Sequence, residues 1–455
     1  MTARLVAGPG VAVPAALAAI ALAVVSWQAP LAALGAAGAA ALVAVTLARA
    51  DLLLLVLTAA LPWEGLLAFP TETVTVVKLL GLLLFVAFVV RAAGQKETLR
   101  FPSTLLPVIA LGILVGLSLV FSPDPAEGVA KTLRYLLFIM FFFLIVQLVR
   151  DRRAVLRAMR VITVSATVAA VVALVDWLQG EAGTRAGGPI SDPNDFAYLL
   201  ASVLPLAAFL FAQERGRRWL WGLSAIMLTG GMLATLSRGA IVGVAALAVW
   251  AIATRRIPLG GLTAGLATTG VAVLIVFAFF GPLIEERIAA KGRVASANVE
   301  SRQVYWKSAL GMAAERPLTG VGPDRFGDES DDSLPAGPAQ AGGAGDQELV
   351  VHNSYLEILA ENGVLAMIAF VAFLGGTWRL LGRARRISEA EVDVEGSRLA
   401  TALQATLIVA IVSGMFLSEQ LTVPFWLIGA LATAVGGSEL LARRPVLPSR
   451  HLVTR

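Results

Sequence analysis

The chain has 455 residues, 58% of them hydrophobic and 15% charged, with a formal net charge of +5 and a mean hydropathy of +0.80. That balance excludes a soluble globule, and the absence of cysteine excludes disulfides, thiolate chemistry and Cys-based metal sites. The apolar runs are continuous and about 20 residues long, enough to cross a bilayer as helices. Their lack of alternation excludes a β-barrel.

In chain order the runs predict an all-α polytopic membrane protein of about fourteen spans. They cover residues 11–28, 30–48, 51–69, 73–92, 103–122, 128–148, 155–178, 194–212, 218–236, 239–254, 262–282, 354–378, 399–417 and 421–441. The span at 51–69 is interrupted by Pro62-Trp63-Glu64 and reads as partly re-entrant. The first run lacks a small-residue cleavage site after it and reads as a retained span rather than a signal peptide. Residues 1–283 thus hold spans 1 to 11, 284–352 a large polar loop with amphipathic helices, 353–441 spans 12 to 14, and 442–455 a polar tail.

Charge orients these spans. With the N-terminus in the cytoplasm, about two-thirds of the 36 basic residues fall on the inner side. Both termini are then cytoplasmic and the 284–352 loop is external. Outside that loop the cations that break the rule are Lys78, Lys131, Arg134, Arg185 and Arg238. Lys78, Lys131, Arg134 and Arg238 share a depth near the outer surface and would cradle a pyrophosphate whose lipid tail stays in the bilayer. Lys131 and Arg134, at i and i+3, share a helix face. Lys131 or Arg134 alone is equally accounted for by snorkelling or by pairing with an acid, and Arg238 less so, being wedged into a turn too short to be a mere headgroup anchor. Acids stand at the same depth: Glu64, Asp176, Asp195, Glu357, Glu361 and Glu419. The midplane of the spans carries no such groups, which argues against a transporter.

Two external segments are shaped. Gly187 to Asp195 is a turn-rich link whose Asp192 or Asn194 can cap the following helix, with Pro193 rigidifying its entry. The large loop opens with the amphipathic stretch Ile284 to Arg293. A surface helix from Glu300 to Leu310 follows, with Arg302 and Trp306 on one face. Gly320-Val321-Gly322 is no dinucleotide fingerprint, lacking the flanking strand and helix. The acidic run Asp328 to Asp332 reads as solvated loop in preference to a cation site. The loop closes on His352-Asn353-Ser354, where Ser354 and Glu357 fit a capping box for a helix at 355–378. His352 is then either an idle residue before a cap or a proton acceptor kept neutral by the helix N-terminus.

Taken in order, Ser237-Arg238-Gly239, Arg302-x-x-x-Trp306, Pro317-x-Thr-Gly-x-Gly322, His352-Asn353-Ser354-Tyr355-Leu356 and Glu361-Asn362-Gly363 resemble the O-antigen ligase / O-antigen polymerase superfamily of bacterial membrane glycosyltransferases. The likeness runs from about Asp192 to Phe373. It implies a GT-C-type fold, about twelve spans being usual in the ligases, in a multi-pass protein of the inner (cytoplasmic) membrane with its site facing the periplasm or exterior. It also implies an undecaprenyl-pyrophosphate-linked glycan donor, and an acceptor such as lipid A-core or another envelope glycan. Neither cofactor, metal nor nucleic acid is implied. Arg238 and Arg302 match the family's essential arginines and His352 its essential histidine, with Asn194, Asn353, Glu357 and Trp306 as candidate supports. Arginines would stabilise the departing diphosphate, His352 would deprotonate or orient the acceptor hydroxyl, and direct attack would invert the anomeric centre. One long external loop, beside a short one at 179–193, tips the reading towards en bloc transfer rather than polymerisation. A small-anion transporter is the alternative from another class.

Overall fold

The computed structural model describes residues 49–68, 75–95, 98–180, 185–190, 192–256, 302–331, 350–418 and 420–442, with single positions between 260 and 281. Two compact units are present, Met1–Leu54 with Leu82–Thr98, and Leu55–Gly81 with Leu99–Arg455. The second carries every residue of the candidate site.

Among the described residues all regular elements are helical, beside one isolated bridge between Ala68 and Thr75. In chain order they are α1 (Ala50–Ala60), α2 (Val76–Gln95), α3 (Leu105–Val120), α4 (Pro125–Leu148), α5 (Arg152–Gln179), α6 (Pro193–Gln213), α7 (Arg218–Ala234) and α8 (Arg238–Thr254). Then come α9 (302–315), α10 (Phe326–Asp331), α11 (Ser354–Ala390), α12 (Val394–Ser413) and α13 (Val423–Ala442). Six helices, α2, α4, α5, α6, α11 and α12, are long and apolar enough to cross a membrane, and α1, α3, α8 and α13 are apolar but shorter. The chain is a multi-pass membrane protein. The predicted spans at 11–28 and 30–48, most of 262–282, and the amphipathic stretch 284–293 lie outside the described residues.

The break expected at Pro62 is present. α1 stops at Ala60, a 3-10 turn covers Leu61–Trp63, and Trp63 Nε1 donates to Ser165 Oγ on α5 at 2.9 Å. Short polar residues start the long helices, as lipid-bounded helices demand. Asp124, with Pro125 behind it, caps α4, Asp151 caps α5, Asp192 caps α6 and Asp393 caps α12.

Lipid offers no hydrophobic drive between helices, so shape and small residues set the packing. Gly239 and Gly243, one turn apart on α8, meet Leu417 and Ser413 at the end of α12, and a Cβ on Gly243 would lie 2.1 Å from Ser413 Oγ. An aromatic ladder joins α4, α6, α11 and α13: Phe142 edge-on to Phe373 (5.6 Å), Phe373 stacked on Trp426 (5.5 Å), Phe370 edge-on to Phe425 (5.3 Å), and Tyr198 beside Phe425.

α11 breaks at Gly363, whose φ of 81° is left-handed. The break leaves the Ala360 and Glu361 carbonyls without helical partners, and the loop after α9 supplies them. Val321 N donates to Ala360 O (2.9 Å), Gly322 N to Glu361 O (3.0 Å), and Val364 N in turn to Pro317 O (2.8 Å). Ser118 Oγ on α3 also donates to Glu361 O, at 2.7 Å. Gly320 must be glycine because its φ is 68° and a Cβ would sit 2.3 Å from the Glu361 backbone. Thus Pro317-x-Thr-Gly-x-Gly322 and Glu361-Asn362-Gly363 form one interlocked unit. Beneath it Ala309, Met312, Val321, Phe326, Val351 and Ala360 make a small core that holds α9 against the start of α11.

Candidate functional site

Four chain segments meet at one end of the second unit. The first is the turn between α7 and α8. Leu236 takes a left-handed φ of 53°, and Ser237 N donates to Thr235 Oγ1 at 3.1 Å, so the chain reverses within three residues and delivers Arg238 as the first residue of α8. Ser237 occupies the cap position without making a cap bond, and its buried hydroxyl has no partner. Arg238 is exposed.

The second segment is the link into α6. Asp192 caps this helix, accepting from Asn194 N (2.5 Å) and Asp195 N (3.2 Å), as its sequence suggested. Asn194 spends its side chain elsewhere: its Oδ1 accepts from Arg185 Nη2 at 2.7 Å. Arg185 Nε donates to Thr235 O at 2.8 Å, tying this link to the Arg238 turn.

The third segment is the His352 turn. His352 has a left-handed φ of 53°, unusual for a side chain other than glycine and held only where the surroundings enforce it. On one side Trp306 Nε1 donates to Val351 O at 3.1 Å. On the other Asn353 Oδ1 caps α11, accepting from Tyr355 N (3.0 Å) and Leu356 N (3.1 Å). The predicted Ser354–Glu357 capping box is therefore corrected. Asparagine caps as well as serine, and Ser354 instead donates through N and Oγ to Leu417 O, at 2.9 and 2.8 Å. That pair fastens α11 to the turn packed on Gly239.

The fourth segment is α9, which begins the described part of the large loop with Arg302 and places Trp306 one turn on. The expected surface helix is present and runs to residue 315.

The electrostatics make these segments one site. His352 titrates below the ordinary imidazole range, first because it is buried and then because Arg302 is near, with Arg185 adding to the effect; Glu357 and Asp192 oppose it. Arg302 is lowered by burial and then by Arg238. Burial likewise lowers Arg185, against the pull of Asp192 and with the push of Arg302. Arg302 and Arg185 thus act directly on the histidine and Arg238 on Arg302, at the N-terminal ends of α6, α8 and α11, where helix dipoles add positive potential.

Lys131 belongs to a different cluster. Its Nζ lies 2.8 Å from Glu357 Oε1, 2.8 Å from Glu361 Oε1 and 3.6 Å from Asp324 Oδ1, and its side chain is only 14% exposed. Gln420 Nε2 also donates to Glu357 Oε1, at 2.5 Å. The ammonium expected in a diphosphate cradle is thus surrounded by carboxylates, the pairing with acids that the sequence also allowed. Arg134, one turn on, is exposed, whereas Lys131 is engaged by these acids. Lys78 lies in electrostatic reach of Glu64 and Arg134 rather than of the histidine turn. Glu357 meets Lys131 and Gln420 instead of the helix cap.

The acidic run also differs from the solvated loop expected of it. Phe326–Asp331 is a short helix, and Arg325 pairs with Glu127 on α4 and with Asp328 (3.1 Å) and Glu329 (3.6 Å). No group of three or more His, Cys, Asp or Glu suited to a metal occurs among the described residues. Arg185 is the residue that sequence reasoning left without a role. Its signal was available, as an arginine on the side of the membrane where the charge rule disfavours one.

Residues 222–371 match a family model described as O-antigen ligase, a match over about a third of the chain that supports membership of the O-antigen ligase superfamily. The matched stretch holds Arg238, Arg302, Trp306, His352, Asn353, Glu357 and Glu361, and leaves out Lys78, Lys131, Arg134, Arg185 and Asn194. No curated protein matches the chain.

Proposed function

We propose, with membership of that superfamily as the premise, that the chain transfers a glycan from undecaprenyl pyrophosphate to an acceptor hydroxyl at the outer face of the cytoplasmic membrane. The observation that carries this reading is the set of arginines around a buried, neutral His352. Such a site is short of an anion and already holds a base.

In the reaction the acceptor oxygen attacks the anomeric carbon, and the bond from that carbon to the diphosphate oxygen breaks. The electron pair leaves on the lipid diphosphate, and the acceptor proton passes to a ring nitrogen of His352. Arg302 and Arg238 offer planar donors to the diphosphate oxygens as their charge rises. A ring held neutral by its surroundings can take the proton at physiological pH. Attack from the face opposite the leaving group inverts the centre. Charge neutralisation by arginine gives the step its electrophilic help without a metal.

The supports are assigned by what they touch. Trp306 and Asn353 hold the His352 turn from either side. Glu357, gripped by Lys131 and Gln420, fixes the first turn of α11 behind it. Asn194 holds Arg185. Lys78 and Arg134 remain as cations on the donor's path, and Lys131 leaves the donor site for this supporting role. A GT-C-type fold, an external 284–352 loop, and an inner-membrane location with the site facing outward complete the proposal. They rest on the charge asymmetry of the loops and on the family.

The family likeness supports lipid A-core or another envelope glycan as the acceptor, and the one long external loop supports a single block transfer. The test uses purified protein with an undecaprenyl-diphosphate glycan and candidate acceptors, with products sized on a gel. One added block is expected, and a ladder would make the enzyme a polymerase. No transfer, together with anion uptake into proteoliposomes, would replace the enzyme with a transporter.

A further inference from the structure

Arg185 stands outside the motifs that mark this site, yet its position is among the most constrained there. Its Nε is committed to Thr235 O (2.8 Å) and its Nη2 to Asn194 Oδ1 (2.7 Å), so the guanidinium is held at two corners. The neighbouring backbone repeats the link, with Ala186 N donating to Ala234 O at 3.3 Å. Both anchors are neutral acceptors. Two buried-side oxygens therefore aim the group without cancelling its charge, and its Nη1 takes no part in either contact.

Two further features lie beside it. Ser237, two residues past the anchoring Thr235, leaves the first turn of α8 without a side-chain cap, and the residue is 1% exposed with its hydroxyl unpartnered. Arg238 follows directly. A long helix start with no cap, an orphan hydroxyl and aimed guanidiniums is the equipment for binding phosphoryl oxygens. The charge count also selects. Among the described residues, Arg185 feels the carboxylate of Asp192 and the guanidinium of Arg302, and Arg302 feels Arg238. These four groups together carry an excess of two positive charges. A phosphodiester brings one negative charge, and a diphosphate diester brings two.

We propose that Arg185 is a third diphosphate-binding residue, aimed by Asn194 and the Thr235 carbonyl across the uncapped start of α8, and that it fits the site to a diphosphate diester over a monophosphate diester. This rests on the lipid-linked donor reading above and adds the residue that sets its phosphate number.

The test compares two probes with the full-length protein in detergent: farnesyl diphospho-N-acetylglucosamine and farnesyl phospho-N-acetylglucosamine, with Kd measured by thermophoresis. The unaltered protein is expected to prefer the diphosphate by about tenfold or more, the scale of one added charge-assisted contact. Arg185→Gln should lose about tenfold for the diphosphate and less than about twofold for the monophosphate, and Arg185→Lys should recover part of the preference. Asn194→Ala, which leaves the Thr235 anchor intact, should fall between them. Equal losses for both probes in Arg185→Gln and Arg185→Lys alike would show a merely structural anchor and overturn the proposal. An undiminished preference in Arg185→Gln would remove Arg185 while leaving the donor reading in place. Failure of the unaltered protein to bind either probe would remove both.

Discussion

Two charged clusters lie within a few turns of each other along the front of α11, and they are built on opposite plans. Around Lys131 one ammonium meets three carboxylates, two of them nearly inaccessible to solvent, with Gln420 closing the set. Around His352 three arginines meet one exposed carboxylate, and Arg185 and the histidine turn are held largely by neutral backbone and amide groups. The first cluster surrounds its one cation with acids and has no positive charge left to offer an anion. The second is held in shape by neutral contacts and keeps its charge unspent. Residue type alone does not separate them: what separates them is whether the partner is an acid or a carbonyl.

Removing the partner should hurt the first cluster most. Lys131→Met leaves Glu357 and Glu361 buried without their cation, and breaking such a set costs about 3–5 kcal/mol. A large drop in thermal stability in detergent is expected, with loss of transfer following from it. A stable, active Lys131→Met would mean that the cluster is not what holds α11. The second cluster should respond the other way. His352→Ala is expected to lower transfer about 10²–10⁴-fold, the usual contribution of a positioned acid or base, and to leave the melting temperature near that of the parent. A left-handed φ suits alanine somewhat less than histidine, so only a small fall in melting temperature is expected from the backbone. Near-normal transfer by that variant would take His352 out of the mechanism.

The contrast also explains what could be read from the chain. Spans 73–92 through 239–254 were legible because continuous apolar runs and polar caps are local signals, and Asp192-Pro193 is a cap in sequence and structure alike. Lys131 was misplaced because spacing says which residues share a helix face and not what lies opposite. Its partners are 226 and 230 residues away. The same limit hid the interlock of Gly320 with Gly363, read as two separate motifs, and the exchange of roles between Asn353 and Ser354. Arg185 lay outside every helix and every motif, so only its charge on the wrong side of the membrane marked it.

The smallest expected effect tests the electrostatics of the second cluster directly. Burial and then Arg302 hold His352 below its ordinary range, and Arg185 adds to this, while Glu357 and Asp192 pull upward. A histidine kept low stays neutral, and so able to accept a proton, to more acid pH than a free imidazole, whose value is about 6.5. The acid limb of kcat/KM should therefore fall below about pH 6.5, since kcat/KM reports the free enzyme before a diphosphate arrives and raises the ring again. Asp192→Asn removes one upward pull while asparagine keeps the α6 cap. The limb should move further to acid, by a fraction of a unit, with little change in stability. A limb at or above the free-imidazole value would mean that burial and the nearby arginines do not hold His352 low, and one indifferent to Asp192→Asn would mean that Asp192 does not act on its proton.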